Sequence, residues 1–214
     1  MNKINGVVIG IVKDLDDPKK LGRIEVAFPW LPETNQSFWA RIATTMAGAN
    51  RGTWFMPEKE DEVLVAFERG DPDHPYIIGF LWNGQDKPPN QDITPEVRRI
   101  KTVSGHILEF DDRAGQTRIL IKTQGGQQIE LQDLPSGISF STTAGNQITI
   151  TDLPPQINIS CPIGVLTVNC LQASVNAAAL LNINAPIAQF SGVVQAAAIV
   201  SPVYTPGVGN FFGL

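Results

Sequence analysis

Apolar and polar residues alternate along most of this chain, in short bursts separated by turn residues. Period-two patterning marks a strand with one buried face, because successive side chains point to opposite sides of the pleat. Bursts at 6–12, 23–28, 38–43, 62–67 and 76–81 predict five strands in residues 1–84. Stretches rich in Asp, Pro and Gly at 14–22 and 70–75 read as the loops between them. Short strands with long loops at this length predict an OB-type barrel. No long stretch keeps apolar positions at helical spacing between caps, so the fold class is all-β.

Residues 85–99, with Pro88, Pro89 and Pro95, read as a linker, since proline stiffens the chain and removes amide donors. An internal repeat follows over 100–161. Thr102-x-x-Gly105-x-x-Leu108-x-Phe110-x-Asp112 recurs from Thr123 to Asp133 and from Thr142 to Asp152. Interleaved with it are Ile119-x-Ile121, Ile138-x-Phe140 and Ile157-x-Ile159. Each unit of roughly 20 residues holds two alternating strands and cannot bury its apolar face alone, whereas stacked units can. Ten strands stacked about 4.8 Å apart would build a rod on the order of 50 Å long. Residues 162–214 continue the pattern with simpler chemistry. Leu166 and Val168 alternate with Thr167 and Asn169, and Leu181 and Ile183 with Asn182 and Asn184. Runs of alanine at 177–179 and 196–198 suit a narrowing cross-section, and Asn and Gln can form ladders along stacked strands. This segment is expected to be a narrow β-helical needle ending in a tip.

Charge sharpens the picture. The chain carries a formal charge of −5, yet residues 153–214 contain no Asp, Glu, Lys, Arg or His. A solvated surface ordinarily has about a quarter of its residues charged. The Val, Ile, Leu and Ala content argues against disorder. The uncharged region is therefore expected to be buried against other copies around a shared axis, which also removes exposed sheet edges. The inward core positions are Leu108, Phe110, Ile119, Ile121, Ile129, Leu131, Ile138, Phe140, Ile148, Ile150, Ile157, Ile159, Leu166, Val168, Leu181 and Ile183. Phe211, Phe212 and Leu214 would form an apolar contact platform at the end. The acidic balance disfavours nucleic acid, and Arg98, Arg99 and Lys101 read as a solvated strand edge. Apolar runs such as 177–181 fall far short of the roughly 20 residues of a membrane helix. No basic-then-apolar leader opens the chain, which predicts synthesis in the cytoplasm without a signal peptide.

Candidate chemistry changes little. Cys161 and Cys170 have no zinc or disulfide spacing and read as inward, inert thiols. His74 and His106 stand apart, and Glu58, Glu60, Asp61 and Glu62 read as a solvated turn rather than a glycosidase pair. Asp112, Asp133 and Asp152 read as strand-ending turn residues rather than calcium ligands. Trp30, Trp39, Trp54, Phe55 and Trp82 read as core or inter-chain contacts rather than base-stacking platforms. No catalytic, cofactor or metal residue is assigned.

Three segments carry a family resemblance: 17–30 (DPKKLGRIEVAFPW), Trp39-Ala40-Arg41 with 52–57 (GTWFMP), and above all 61–79 (DEVLVAFERGDPDHPYIIG) with Leu81-Trp82-Asn83-Gly84. Together they resemble the OB domain of contractile-tail central spikes, the family of phage baseplate assembly protein V and VgrG-like spikes. Lys101-Thr102-x-Ser104-Gly105-His106 is similar to the start of that family's shaft. The resemblance implies a homotrimer: an OB collar over 1–84, a linker over 85–99, an intertwined β-prism or β-helix shaft over 100–161, and a needle and tip over 162–214. It implies a structural, non-enzymatic part at the centre of a phage or phage-tail-like baseplate, transmitting puncture force. The hub domain that precedes the OB domain in VgrG proteins is not found before residue 4, so a separate hub protein is expected. With no His after His106, the tip iron site of some phage spikes is not matched, and a PAAR-type tip protein is expected instead. Contact with tail tube and target membrane would be indirect. The rival readings are an OB nucleic-acid or carbohydrate-binding module on an oligomerising stalk, and a cell-wall hydrolase.

Overall fold

A computed structural model describes residues 3–30, 38–89 and 94–200. Contacts divide the chain into two units, residues 1–165 and 166–214.

The first unit opens with a barrel. Its strands are β1 (Val7–Asp14), β2 (Glu25–Ala27), β3 (Arg41–Ile42), β6 (Glu62–Phe67) and β7 (Pro75–Leu81), in the order β2-β1-β6-β7-β3. A single bridge between Ile24 and Ala40 joins the two outer strands and closes the ring. β3 runs parallel to β7 and every other pair is antiparallel, which is the five-stranded OB topology. Inward residues from alternating positions make the core: Val12, Ile24, Val26, Phe28, Ala40, Val63, Val65, Phe67 and Ile77. The strand expected over 38–43 is reduced to Arg41–Ile42 plus the Ala40 bridge, with the Ala43 amide still donating to the Ile77 carbonyl at 2.8 Å. A two-stranded arm, β4 (Ala47–Gly48) with β5 (Arg51–Gly52), projects between β3 and β6.

Loop 15–24 is organised by one buried carboxylate. Asp17 accepts the amides of Lys19 (3.0 Å) and Leu21 (2.8 Å), and Arg23 donates to both of its oxygens at 3.0 and 2.6 Å. The Arg23 guanidinium holds this carboxyl well below its usual range, against the opposing effect of burial.

Past the barrel, the chain folds as one antiparallel meander of seven strands: β8 (Val97–Lys101), β9 (Ile107–Asp111), β10 (Arg118–Lys122), β11 (Gln128–Asp133), β12 (Ser136–Ser141), β13 (Gln147–Asp152) and β14 (Pro155–Ser160). Each pairs only with its sequence neighbours. The repeat thus corresponds to hairpins, and the meander has seven strands rather than the ten-strand stack expected. The last three residues of the expected linker, Val97 to Arg99, already belong to β8.

One edge of the meander carries the repeated Thr-x-x-Gly turns. Gly105, Gly126 and Gly145 have φ of +92°, +92° and +84°, and their amides donate to Thr102, Thr123 and Thr142. That left-handed backbone is why the repeat keeps glycine. Asp133 and Asp152 close their strands and Asp112 follows β9, as turn residues.

Beyond Ser160 no described residue belongs to a strand, and residues 162–200 are all exposed in the single chain. The alternation around Leu166, Val168, Leu181 and Ile183 therefore does not pair with other parts of its own chain. A strand needs a hydrogen-bonding neighbour, and this segment has none among the described residues.

Candidate functional site

Strand register turns the repeat into a continuous apolar surface. Opposed residues on antiparallel strands share a face. One column runs Phe110, Ile119, Leu131, Ile138, Ile150, Ile157, each directly opposite the next. A second runs Ile100, Leu108, Ile121, Ile129, Phe140, Ile148, Ile159. All twelve core positions assigned between Leu108 and Ile159 lie in these columns. Ile100 was missed because it lay at the start of the repeat, where no earlier unit marked its register.

The face is uncovered within the chain. Ile119 and Ile138 are 37% exposed, Ile121 is 48%, and Ile157 reaches 71% on the last strand. Monomeric proteins rarely leave so large a contiguous apolar patch bare. Leu166, Val168, Leu181 and Ile183 are likewise exposed, so the single chain does not bury them. Phe211, Phe212 and Leu214 lie outside the described residues.

The opposite face is polar and changes character along the sheet. Its central column runs Arg99, Glu109, Leu120, Glu130, then Ser139, Thr149 and Asn158. Across the first four strands the charges form a network in which the Glu109 and Asp111 carboxylates are buried and the guanidiniums are partly exposed. Arg99 Nε donates to Glu109 Oε2 at 2.6 Å, and Arg99 Nη2 pairs with the same oxygen. Arg118 reaches Glu109 Oε1 at 3.3 Å and Glu130 Oε1 at 2.9 Å. Arg113 donates to both oxygens of the fully buried Asp111, at 2.8 and 2.6 Å. That pairing brings the Asp111 carboxyl down to about 2, with burial acting the other way. Arg99 is therefore not part of a solvated strand edge. Arg98, paired with Asp112, and Lys101 are exposed.

The remaining candidates fall in place around the barrel. Trp54, Phe55 and Trp82 are exposed, and half-exposed Trp30 packs on Phe28 at 5.6 Å between ring centroids, so none of these four is core. Trp39 is half-buried. Leu21, Ile42, Met46, Trp54, Phe55 and Phe80 line a 760 Å³ cavity beside the projecting arm. A smaller one, 420 Å³, lies against Arg41, Tyr76 and His74, with the Arg41 guanidinium 4.7 Å from the Tyr76 ring centroid. Glu60 pairs with Lys13 at 3.0 Å, and His74 meets Asp71 at 3.2 Å. Among the described residues no group of three or more His, Cys, Asp or Glu is placed to hold a metal ion. Cys161 is half-buried and Cys170 exposed in the single chain.

Residues 8–82 match the type VI secretion system/phage-baseplate injector OB domain family. The chain is similar to the type VI secretion system spike protein VgrG3 of Vibrio cholerae, 35% identical over 113 residues, which is 48% of this chain and 11% of that protein. It is 34% identical over 113 residues to the actin cross-linking toxin VgrG1 of Vibrio cholerae, covering 48% of this chain and 10% of the toxin. It is 28% identical over 125 residues to the spike protein VgrG1b of Pseudomonas aeruginosa, covering 52% and 17% respectively. The matched stretch is thus a small part of each relative's length.

Proposed function

We propose, from the match of residues 8–82 to the injector OB domain family and the similarity to VgrG spike proteins, that the chain is the structural spike of a baseplate, acting as a homotrimer. The observation that supports this most is the bare two-column face of the meander. Three meanders turned inward around one axis would cover it, leaving the polar face turned outward. Fully burying an Ile, Leu or Phe contributes roughly 1.5–3 kcal/mol. Thirteen positions with about half their burial outstanding give on the order of 10 kcal/mol per chain. The uncharged segment beyond Ser160 would find in two neighbouring copies the ladder partners that its described residues lack in their own chain, as an intertwined β-helix needs.

The barrel is then a collar and the meander a shaft. Sheath contraction drives the particle forward, the collar passes thrust down the axis, and the narrow end concentrates it on a small area of target membrane. A hub protein above and a PAAR-type tip protein below are the proposed partners. Phe211, Phe212 and Leu214 are the proposed tip contact. In this role the chain has no catalytic group of its own.

Sedimentation velocity on the purified full chain tests the reading. A stable, elongated trimer is expected. A compact monomer across the accessible concentration range would remove the spike assignment. Deleting residues 206–214 should abolish co-purification with a tip protein while leaving the trimer intact.

A further inference from the structure

The ion network lies where the collar's linker meets the shaft. Three cations, Arg99, Arg113 and Arg118, are matched there by three carboxylates, Glu109, Asp111 and Glu130. Strand pairing does not require them. The same column on β12, β13 and β14 holds Ser139, Thr149 and Asn158, and those strands pair just as regularly. Buried ion pairs carry a desolvation cost that well-packed apolar residues avoid, so they are a poor device for stability alone. What distinguishes this end of the shaft is the chain that reaches it. Arg99 Nη1 donates to the carbonyl of Pro89 at 3.2 Å, while its Nε and Nη2 are held by Glu109. Glu109 is held in turn by Arg118 through its other oxygen. Farther along, the Asp112 amide donates to Glu96 at 3.0 Å and the Val97 amide to Thr94 at 3.3 Å. At the collar end Asn83 donates to Glu62 and Asp86 and accepts the amides of Gln85 and Asp86.

We propose that Arg99, seated on Glu109, is a positioning residue that pins the collar linker to the outer face of the shaft, making the junction a strut rather than a hinge. Guanidinium suits the task. Its planar fork engages a carboxylate with one pair of nitrogens and leaves the third free for a carbonyl at a fixed angle, which a lysine ammonium cannot do. Arg118 and Glu130 brace Glu109 so that the fork keeps its aim. That the strut carries axial thrust rests on the spike reading. The clasp itself is made within one chain and does not.

Hydrogen exchange on the full chain tests it, read in peptides covering 84–97 with β11 to β13 as internal reference. Arg99→Lys retains the charge opposite Glu109 and loses the simultaneous reach to Pro89. It should speed linker exchange about tenfold or more, the loss expected for a charge-assisted hydrogen bond, with the reference strands unchanged. Arg99→Met should do the same or more. Linker exchange within about twofold of the parent in Arg99→Lys would overturn the proposal, whether or not Arg99→Met folds. Sedimentation of the parent chain separates the two readings: a monomeric parent sinks the spike assignment, while the linker's response to Arg99→Lys still decides the clasp.

Discussion

Ile157 offers the sharpest test of the shared core. It is 71% exposed in the single chain, at the far end of its column. If three sheets face one another, assembly buries most of that side chain. Full burial of an isoleucine contributes roughly 1.5–3 kcal/mol, so the outstanding fraction contributes about 1–2 kcal/mol. Ile157→Ala removes three of the four side-chain carbons, or about 0.8–1.6 kcal/mol per chain. Across three chains that is about 2.5–5 kcal/mol, which weakens assembly by roughly two to four orders of magnitude. Asn158→Ala, one residue on and facing outward, is the control. Dilution series followed by sedimentation velocity in moderate urea would show the dissociation midpoint moving for Ile157→Ala and holding for Asn158→Ala. In a solitary sheet whose apolar face is solvated, truncating so exposed a residue shifts stability by about 0.5 kcal/mol or less and introduces no concentration dependence. Equal midpoints for the two variants would refute the shared core.

Three further predictions bear on the fold. Gly126→Ala must adopt a φ of +92° with a Cβ 2.6 Å from Thr143 Cγ2, whereas Gly115→Ala faces a φ of +78° in open space. The first should cost about 1–2 kcal/mol of strain plus the clash and the second the strain alone, ordered by thermal melting. Asp17→Ala removes the anchor of loop 15–24, leaves Arg23 without its carboxylate, and should lower the barrel's melting temperature by several degrees. Asp111 titrates lower folded than free, so its stabilisation is complete above about pH 4 and drains away as pH falls toward about 2. Asp111→Asn should flatten the acid limb of the stability profile over that interval, measured by denaturant titration.

Much of this was legible because the chemistry repeats. Alternation alone fixed which of Leu108, Phe110, Ile119 and their successors share a face, since a strand has one periodicity and a slip of one residue would reverse it. The barrel was readable from five bursts and their loops. Its closure through Ile24 and Ala40 was not, because a one-residue bridge leaves no pattern. The ion network was overlooked for a related reason. Arg99, Glu109, Arg118 and Glu130 look like ordinary outward residues of half-buried strands, and only register shows that they converge beneath the linker. Trp54 and Phe55, read as core or inter-chain contacts, are not core in the single chain, where they are exposed and line the cavity beside the β4–β5 arm. Past Ser160 the alternation persists, while among the described residues strand pairing within the chain stops. Periodicity reports which side of a strand is oily, and says nothing about whose backbone lies next to it.

The Thr-x-x-Gly turns set how such a meander changes size. From Thr123 to Thr142 one hairpin occupies 19 residues and returns the chain to the same edge, facing the same way, with both apolar columns in step. Duplicating that module would add two strand spacings, about 10 Å, without disturbing the registers above or below. Length is therefore a quantity that tandem gain or loss of a short gene segment can adjust in fixed increments. The meander is built as a ruler whose graduations are hairpins.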